Sequence, residues 1–185
     1  MKPVAVLSSG GLDSSILLAD LAKSGHVFPI YVSSGHPWES EELRALRSFV
    51  SASNSPSVSE PVSLSINNSD IYGSHWSSSG SPPGADTPDT AVYLPGRNIF
   101  LITAAAVWGS INGVSRIAIG SLRGNPFPDA SQEFYAMMGT VLGQGLARSI
   151  EVIAPYLGST KEEIIRCNKD LPLHLTYNLD FQPKY

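Results

Sequence analysis

Six consecutive residues, Ser9, Gly10, Gly11, Leu12, Asp13 and Ser14, have the types that hold a phosphate. They follow a short apolar run ending at Leu7 and Ser8, and they precede a second run from Ile16 to Ala22. This spacing predicts a strand, a tight glycine turn and a helix. At such a junction the first helical N–H groups lack intrahelical partners and converge on one spot. The helix dipole adds partial positive charge there, which makes the turn an anion site. Two adjacent glycines let the backbone approach a ligand with no Cβ in the way. The Ser9 and Ser14 hydroxyls can donate to phosphate oxygens. The plainer alternative is a glycine turn capped by Asp13 and Ser14 in an ordinary α/β domain. Position directly after the first strand favours the phosphate reading.

Other residues carry compatible chemistry. Asp13 offers a carboxylate to Mg²⁺, which takes carboxylate and phosphate oxygens together; the alternative is a helix cap. Arg97 opens an apolar segment behind the turn Pro95-Gly96, where a guanidinium can meet phosphate bidentately; the alternative is a surface arginine. Lys161 falls in the first turn of a helix, where the dipole disfavours a cation, so a nearby anion explains it better than solvation does. Asp129 can accept from a guanine-like edge or cap the helix that follows. His36 is either a proton carrier or phosphate contact, or a structural histidine.

These side chains need a frame. Val4–Ser8, Val27–Ser33, Ser57–Ile66, Arg116–Gly120 and Ile150–Ala154 read as strands, the third weakened by Pro61. Helices are expected at Ser14–Ser24, stopped by Gly25, and at Glu39–Ala52, with Leu43, Leu46, Phe49 and Val50 on one face. Arg97–Asn112 is apolar nearly all round and reads as a buried helix. Ser131–Ala147 places Phe134, Met137, Met138, Val141 and Leu142 at core spacing, with the methionines as core filler. Thr160–Asn168 is the last helix, capped by Ser159 or Thr160 with Glu162 or Glu163 in its first turn. Strands alternating with helices imply an α/β fold, a doubly wound, mainly parallel five-stranded sheet. Ligands in such sheets lie beyond the carboxyl ends of the strands. That rule gathers four loops on one rim: Ser9–Ser14, Ser33–Glu39, Gly120–Asp129 and Pro155–Lys161. The Ser/Gly/Pro-rich run at about 65–92 is too long for an ordinary connection. It is either a lid, with His75 and Trp76 closing over a ligand, or a surface insert. Residues 1–185 are otherwise read as one domain.

Composition excludes several classes. With 42% hydrophobic residues over 185, the chain can fill one sizeable core. Its net charge of −4 and lack of a basic block argue against direct nucleic-acid binding. No apolar run reaches membrane-spanning length, and Met1-Lys2-Pro3 leads directly into a strand, so no membrane, no signal peptide and a cytoplasmic setting are expected. The lone Cys167 leaves no intrachain disulfide and no cysteine-cluster zinc site.

The loop lacks the Gly-Lys-Ser/Thr of the common P-loop and is not Gly-x-Gly-x-x-Gly. Ser-Gly-Gly-x-Asp-Ser resembles instead the pyrophosphate loop (PP-loop) of the N-type ATP pyrophosphatases, which include GMP synthetase, NAD synthetase and argininosuccinate synthase. That group has the adenine nucleotide alpha hydrolase-like (HUP) fold. Over most of its length the chain is similar to the 7-cyano-7-deazaguanine synthases. The similarity rests on Leu7–Ser15, on Tyr31 followed by Gly35, His36 and Glu39, and on Leu94-Pro95-Gly96-Arg97-Asn98. It continues through Ile119-Gly120 with Pro128-Asp129 and Glu133-Phe134, then Ser159–Ile164 and Leu175-Thr176-Tyr177. The resemblance implies ATP and Mg²⁺ as cofactors and a C–N-bond-forming ligase of the queuosine pathway. ATP would be cut between its α and β phosphates, a substrate carboxylate adenylated, and ammonia or an amine would attack. The substrate implied is 7-carboxy-7-deazaguanine. ATP and pyrophosphate would meet Leu7, Ser8, Ser9, Gly10, Gly11, Leu12, Asp13, Ser14, Tyr31 and Gly120. The substrate would meet His36, Glu39, Gly96, Arg97, Asn98 and Asp129. Asp13, Arg97 and Lys161 would carry the catalysis.

The chain departs from that family where a four-cysteine zinc module should begin. Thr176-Tyr177 is followed by Asn178-Leu179 in place of Ser-Cys, which argues for loss of the module. Pro-Asp-Cys-Arg becomes Pro128-Asp129-Ala130-Ser131. No zinc is expected, since His26, His36, His75, His174 and Cys167 lie on different elements. A tail from Leu171 would be held by Leu173, Leu175, Tyr177 and Phe181, against the domain or a second subunit as a homodimer. Three readings stay open: a zinc-less deazaguanine synthase, a related adenylating enzyme with another carboxylate or a protein acceptor, and a nucleotide-binding module without turnover.

Overall fold

Strand β1 (Val4–Leu7) is buried at every position, as a strand covered on both faces must be. The reason is its place in a five-stranded, all-parallel sheet of order β3-β2-β1-β4-β5. The partners are β2 (Val27–Ser33), β3 (Val62–Ser65), β4 (Arg116–Ala118) and β5 (Glu151–Ile153). In this computed structural model the described residues are 2–73, 75–79, 87 and 89–177.

Alternate residues of β1 feed different cores. Ala5 and Leu7 face the layer of α6 (Arg97–Ile111) and α7 (Gln132–Gly145), with Ile102, Ala105, Ala106 and Tyr135. Val4 and Val6 face the layer of α1 (Leu12–Ala22), α2 (Glu39–Ser53) and α8 (Lys161–Cys167), with Ile16, Leu17, Leu18, Leu46 and Ile164. The chain winds from β1 out to β3, then returns to β4 on the other side of β1. The topological switch therefore lies at the carboxyl ends of β1 and β4, where such sheets bind ligands.

Several elements differ from expectation for local reasons. Strands β3, β4 and β5 are shorter than their apolar runs, and β3 begins only after Pro61 at the sheet edge. Helix α1 ends at Ala22 with Lys23 as its C-cap, so Gly25 is not the stop. Helix α6 is not buried all round: Ile99, Val107 and Ile111 are exposed, because an outer-layer helix rests only one face on the sheet. On α7 the core face is Tyr135, Gly139 and Leu142, while Met137 and Val141 stand in solvent. Gly139 sets that rotation, since a Cβ there would meet the Ile150 carbonyl at 3.0 Å. The 65–92 insert carries three short helices, α3 (Ser69–Tyr72), α4 (Trp76–Ser79) and α5 (Asp89–Val92); its 80–86 stretch falls outside the described residues.

Candidate active site

The turn after β1 adopts the expected shape, with one revision. Gly10 has φ +77°, and a Cβ there would stand 2.3 Å from the Glu42 carbonyl. Glycine is needed at this position to seat the loop against α2. Gly11 is the N-cap of α1 and supplies no side-chain cap. The N–H groups of Leu12, Asp13 and Ser14 thus open outward at the helix start. Ser9 Oγ accepts from the Gly11 N–H at 3.3 Å and lies 3.4 Å from Ser14 Oγ, which donates to the Gly11 carbonyl at 3.0 Å. Ser8 Oγ turns back to the Val6 carbonyl at 2.9 Å, so its hydroxyl serves the strand. Gly120, at the exit of β4, lets that strand approach α1: a Cβ would meet the Asp13 carbonyl at 3.4 Å.

The turn forms one end of a cavity of about 500 Å³. Leu7, Ser8, Ser9, Gly11, Leu12, Asp13, Ser14, Tyr31 and Gly120 of the expected nucleotide set line it. So do His36, Glu39, Arg97, Asn98 and Asp129 of the substrate set, and Lys161. Gly10 and Gly96 do not line it; both shape turns at positive φ, Gly96 at +73° before α6.

Asp13 does not cap α1. Its Oδ1 is buried without a hydrogen-bond partner, 4.0 Å from Lys161 Nζ, too long for a hydrogen bond. Burial pushes its pKa up, and Lys161 draws it part of the way back. An orphan buried carboxylate oxygen facing a cavity fits a Mg²⁺ ligand. Lys161 follows Thr160, which caps α8 in a reciprocal capping box with Glu163. The orphan Asp13 oxygen is the anion that explains a lysine at this helix start.

Arg97 projects from the first turn of α6. Asp129 fixes that start from 31 residues away: its Oδ2 accepts from the Asn98 N–H at 3.0 Å, and its carbonyl accepts from Asn98 Nδ2 at 2.8 Å. Of the two roles offered for Asp129, capping is realised, but on α6. The following helix, α7, takes Ser131 as cap, through Oγ to the Phe134 N–H at 3.1 Å.

Two glutamates on α2 divide the labour. Glu39 turns into the loop after β2: it accepts from Ser33 Oγ at 2.5 Å, Ser34 N–H at 2.6 Å and His36 N–H at 3.0 Å. These bonds hold its pKa down against its burial. Glu42, which sequence reasoning missed, is the buried one. Its Oε2 accepts from Tyr31 Oη at 2.8 Å, and burial raises its pKa, opposed by Tyr31 and Arg97 and reinforced by Glu39. Its position was detectable: Glu42, Leu46 and Phe49 share the buried face at helical spacing. Tyr31, pushed well above its usual range by burial and by Glu42, stays a neutral donor.

Aromatic rings build the far wall. His36 stacks on Trp38 at 4.9 Å and Trp38 on Trp76 at 5.9 Å. Tyr93 stacks on Phe127 at 4.9 Å. All five line the cavity. His36 Nδ1 donates to the Ser77 carbonyl at 3.0 Å, which ties the loop after β2 to the insert.

The chain end closes the turn from behind. Tyr177 N–H donates to the Gly10 carbonyl at 2.7 Å, and Tyr177 forms a parallel bridge with Gly11. Leu171 and Leu173 pack against the α1/α2/α8 core. Phe181, the other anchor expected for this tail, lies outside the described residues. Among the described residues no three of His, Cys, Asp and Glu gather into a metal-binding group, and Cys167 is exposed on α8. The donors present do not fit a four-cysteine zinc module. Among the described residues no helix is long and apolar enough to cross a membrane.

The chain is similar in sequence to several known proteins. A 7-cyano-7-deazaguanine synthase 1 of Desulfitobacterium hafniense is 28% identical over 181 residues, covering 95% of this chain and 80% of its own. A 7-cyano-7-deazaguanine synthase of Chlorobium luteolum is 29% identical over 185 residues, covering 92% and 78%. That of Sulfolobus acidocaldarius is 28% identical, but 96% of this chain spans only 41% of it. Among solved structures, a predicted subunit of tRNA methyltransferase from Methanocaldococcus jannaschii superposes with a TM-score of 0.52 at 17% identity, covering 90% of this chain and 74% of that one; this likeness concerns the fold alone. The family model described as queuosine biosynthesis protein QueC matches residues 3–180. The chain belongs to the QueC family, as a 7-cyano-7-deazaguanine synthase-like ligase.

Proposed function

We propose that this chain uses ATP to adenylate a carboxylate, releases pyrophosphate, and passes the acyl group to ammonia or an amine. The observation that carries this reading is the convergence of the Ser9–Ser14 turn, the orphan Asp13 oxygen, Lys161 and Arg97 on one cavity at the topological switch. The substrate carboxylate attacks the α phosphorus, and the bond to the β phosphate breaks. Negative charge grows on the departing pyrophosphate. The α1 N–H groups, Arg97 and Lys161 point donors at that charge. Mg²⁺ held by Asp13 would neutralise phosphate oxygens. The stacked rings of the far wall suit a flat heterocycle, which supports 7-carboxy-7-deazaguanine as the acyl donor and a role in queuosine synthesis.

A second reading keeps the chemistry and changes the acceptor. Ala130-Ser131 in place of the family's Cys-Arg directly follows Asp129, which lines the cavity, and this alteration favours another carboxylate or a protein acceptor. The third reading, a nucleotide-binding module without turnover, has no such observation in its favour. The proposal extends to a cytoplasmic setting, no direct nucleic-acid partner, a single domain with a lid-like insert at about 65–92, and no structural zinc. It also includes a homodimer in which the tail from Leu171 docks on a second subunit.

Purified protein incubated with ATP and 7-carboxy-7-deazaguanine should release AMP and pyrophosphate. Products limited to ADP and phosphate overturn the assignment. Pyrophosphate appearing only with another carboxylate selects the second reading. One zinc per chain after dialysis refutes the zinc-less state.

A further inference from the structure

The adenylation chemistry uses Asp13, Arg97 and Lys161, the loop after β2 consumes Glu39, and the start of α6 consumes Asp129. One carboxylate of the cavity is then unaccounted for. Glu42 lines the cavity, is 9% exposed, and accepts a side-chain hydrogen bond from Tyr31 Oη. Its own backbone carbonyl abuts Gly10, so the residue sits directly beside the phosphate turn. Its side chain lies between that turn and Tyr31 at the end of β2, within the field of Arg97.

Amide formation needs what the adenylation residues do not offer. When ammonia attacks the acyl adenylate, the nitrogen lone pair forms the C–N bond. The C–O bond to the adenylyl group breaks, and its electron pair leaves with AMP. Ammonium, the form that dominates at pH 7, must first give up one proton to free that lone pair, and the product nitrogen then loses a second to solvent. A neighbouring arginine and lysine cannot accept the first proton, whereas an ionised carboxylate can. Resting on the function proposed above, we infer that Glu42 is the catalytic base of the second half-reaction, binding the nitrogen nucleophile and taking its proton before passing it to solvent. Tyr31 Oη fixes the carboxylate rotamer, leaving the second oxygen for the nucleophile. The groups facing Glu42 set its basicity: burial raises its pKa and so strengthens it as a base, Glu39 acts in the same direction, and Arg97 and the Tyr31 hydrogen bond restrain it. The pull from Arg97 keeps the carboxylate ionisable beside an acyl phosphate.

Two half-reactions separate this role from the first step. Exchange of labelled pyrophosphate into ATP, with 7-carboxy-7-deazaguanine and no amine, reads adenylation. Amide formation with ammonium chloride reads the transfer. Glu42→Gln retains shape and can still accept from Tyr31. It should lower amide formation at pH 7 by about 100-fold while exchange falls by far less. The loss should shrink as rising pH supplies free ammonia. Hydroxylamine, already neutral at pH 7, should restore transfer as the hydroxamate. Tyr31→Phe, which leaves the base in place, should cost much less than Glu42→Gln in the transfer step. Wild-type transfer in Glu42→Gln, an equal loss in both half-reactions, equal losses for Glu42→Gln and Tyr31→Phe, or failure of hydroxylamine to rescue each overturns the inference. A wild-type chain with no exchange overturns the function itself, and this inference with it.

Discussion

On one side of the cavity, Ser9 to Ser14 are fixed by hydrogen bonds within six residues and by the strand ends around them. On the other side, His36, Trp38, Trp76, Tyr93 and Phe127 come from four separate stretches of chain and stack in two groups through ring faces. The first arrangement is polar and local. Its donors are backbone groups that no substitution removes, and its geometry is set by a helix start. The second is apolar and assembled at a distance, and its rings can be exchanged without touching the sheet. Such a division would let one phosphate turn serve different carboxylate substrates. The same contrast appears within α2: Glu39 is spent on backbone positioning, while Glu42, one turn later, keeps its carboxylate at the cavity.

The comparison breaks most sharply at the charged groups of the phosphate side. Asp13→Ala and Arg97→Ala should each lower pyrophosphate release by about 100- to 1000-fold. Melting temperatures should stay within about 3 °C, because neither side chain belongs to the core. If both variants unfold and a stabilised background restores turnover, these residues hold structure rather than charge.

Backbone strain gives the next largest effect. Gly10→Ala puts a Cβ at positive φ and 2.3 Å from the Glu42 carbonyl. It should cost roughly 3 kcal/mol or more in urea unfolding. Gly124, at φ +80° in the loop after β4, has open space where a Cβ would go. Gly124→Ala should cost only about 1 kcal/mol. Equal losses would mean that α2 does not brace the phosphate turn.

The α2 carboxylates should then respond to pH with opposite signs. Glu39 is held below its unfolded value, so its stabilisation is present above the unfolded pKa and is lost as pH falls through the folded one. Glu42 is raised, so it favours the fold at low pH, and that advantage disappears as pH rises from the unfolded pKa through the folded one. Glu39→Gln should therefore destabilise the chain at pH 7 by about 2 kcal/mol, with a smaller penalty at pH 4. Glu42→Gln should leave stability at pH 7 unchanged or higher. Urea midpoints at the two pH values decide between these outcomes and a common sign for both.

The smallest effect belongs to the ring wall. Trp38→Ala and Trp76→Ala should raise KM for the carboxylate substrate about 10-fold each, with KM for ATP unmoved. A change in the ATP constant instead would place the rings on the nucleotide.

Sequence alone located the phosphate side because its information is contiguous: a strand, two glycines, two serines and a helix start lie within one stretch. Val27–Ser33 was read at its observed bounds for the same reason, as an apolar run between breakers. The rest depends on packing across the sheet. Glu42 stood out only as a charge on an otherwise apolar face. On α7 Phe134, Met138 and Leu142 were read correctly as core, but Gly139 has no apolar side chain to count, so the core face was extended too far, to the exposed Met137 and Val141. Asp129 caps a helix through Asn98, 31 residues before it, a partnership that no local spacing announces.

The Tyr177 pairing with Gly10 and Gly11 has a temporal side. These residues stand 166 positions apart in a chain that the ribosome makes from the other end. At about 5–20 residues per second, roughly 8–33 s pass between their syntheses. During that interval β1 also waits for β4, its neighbour across the switch. A nascent chain therefore carries the motif with its local Ser9–Ser14 hydrogen bonds well before Tyr177 can brace it, and that bracing is completed only once this residue leaves the exit tunnel.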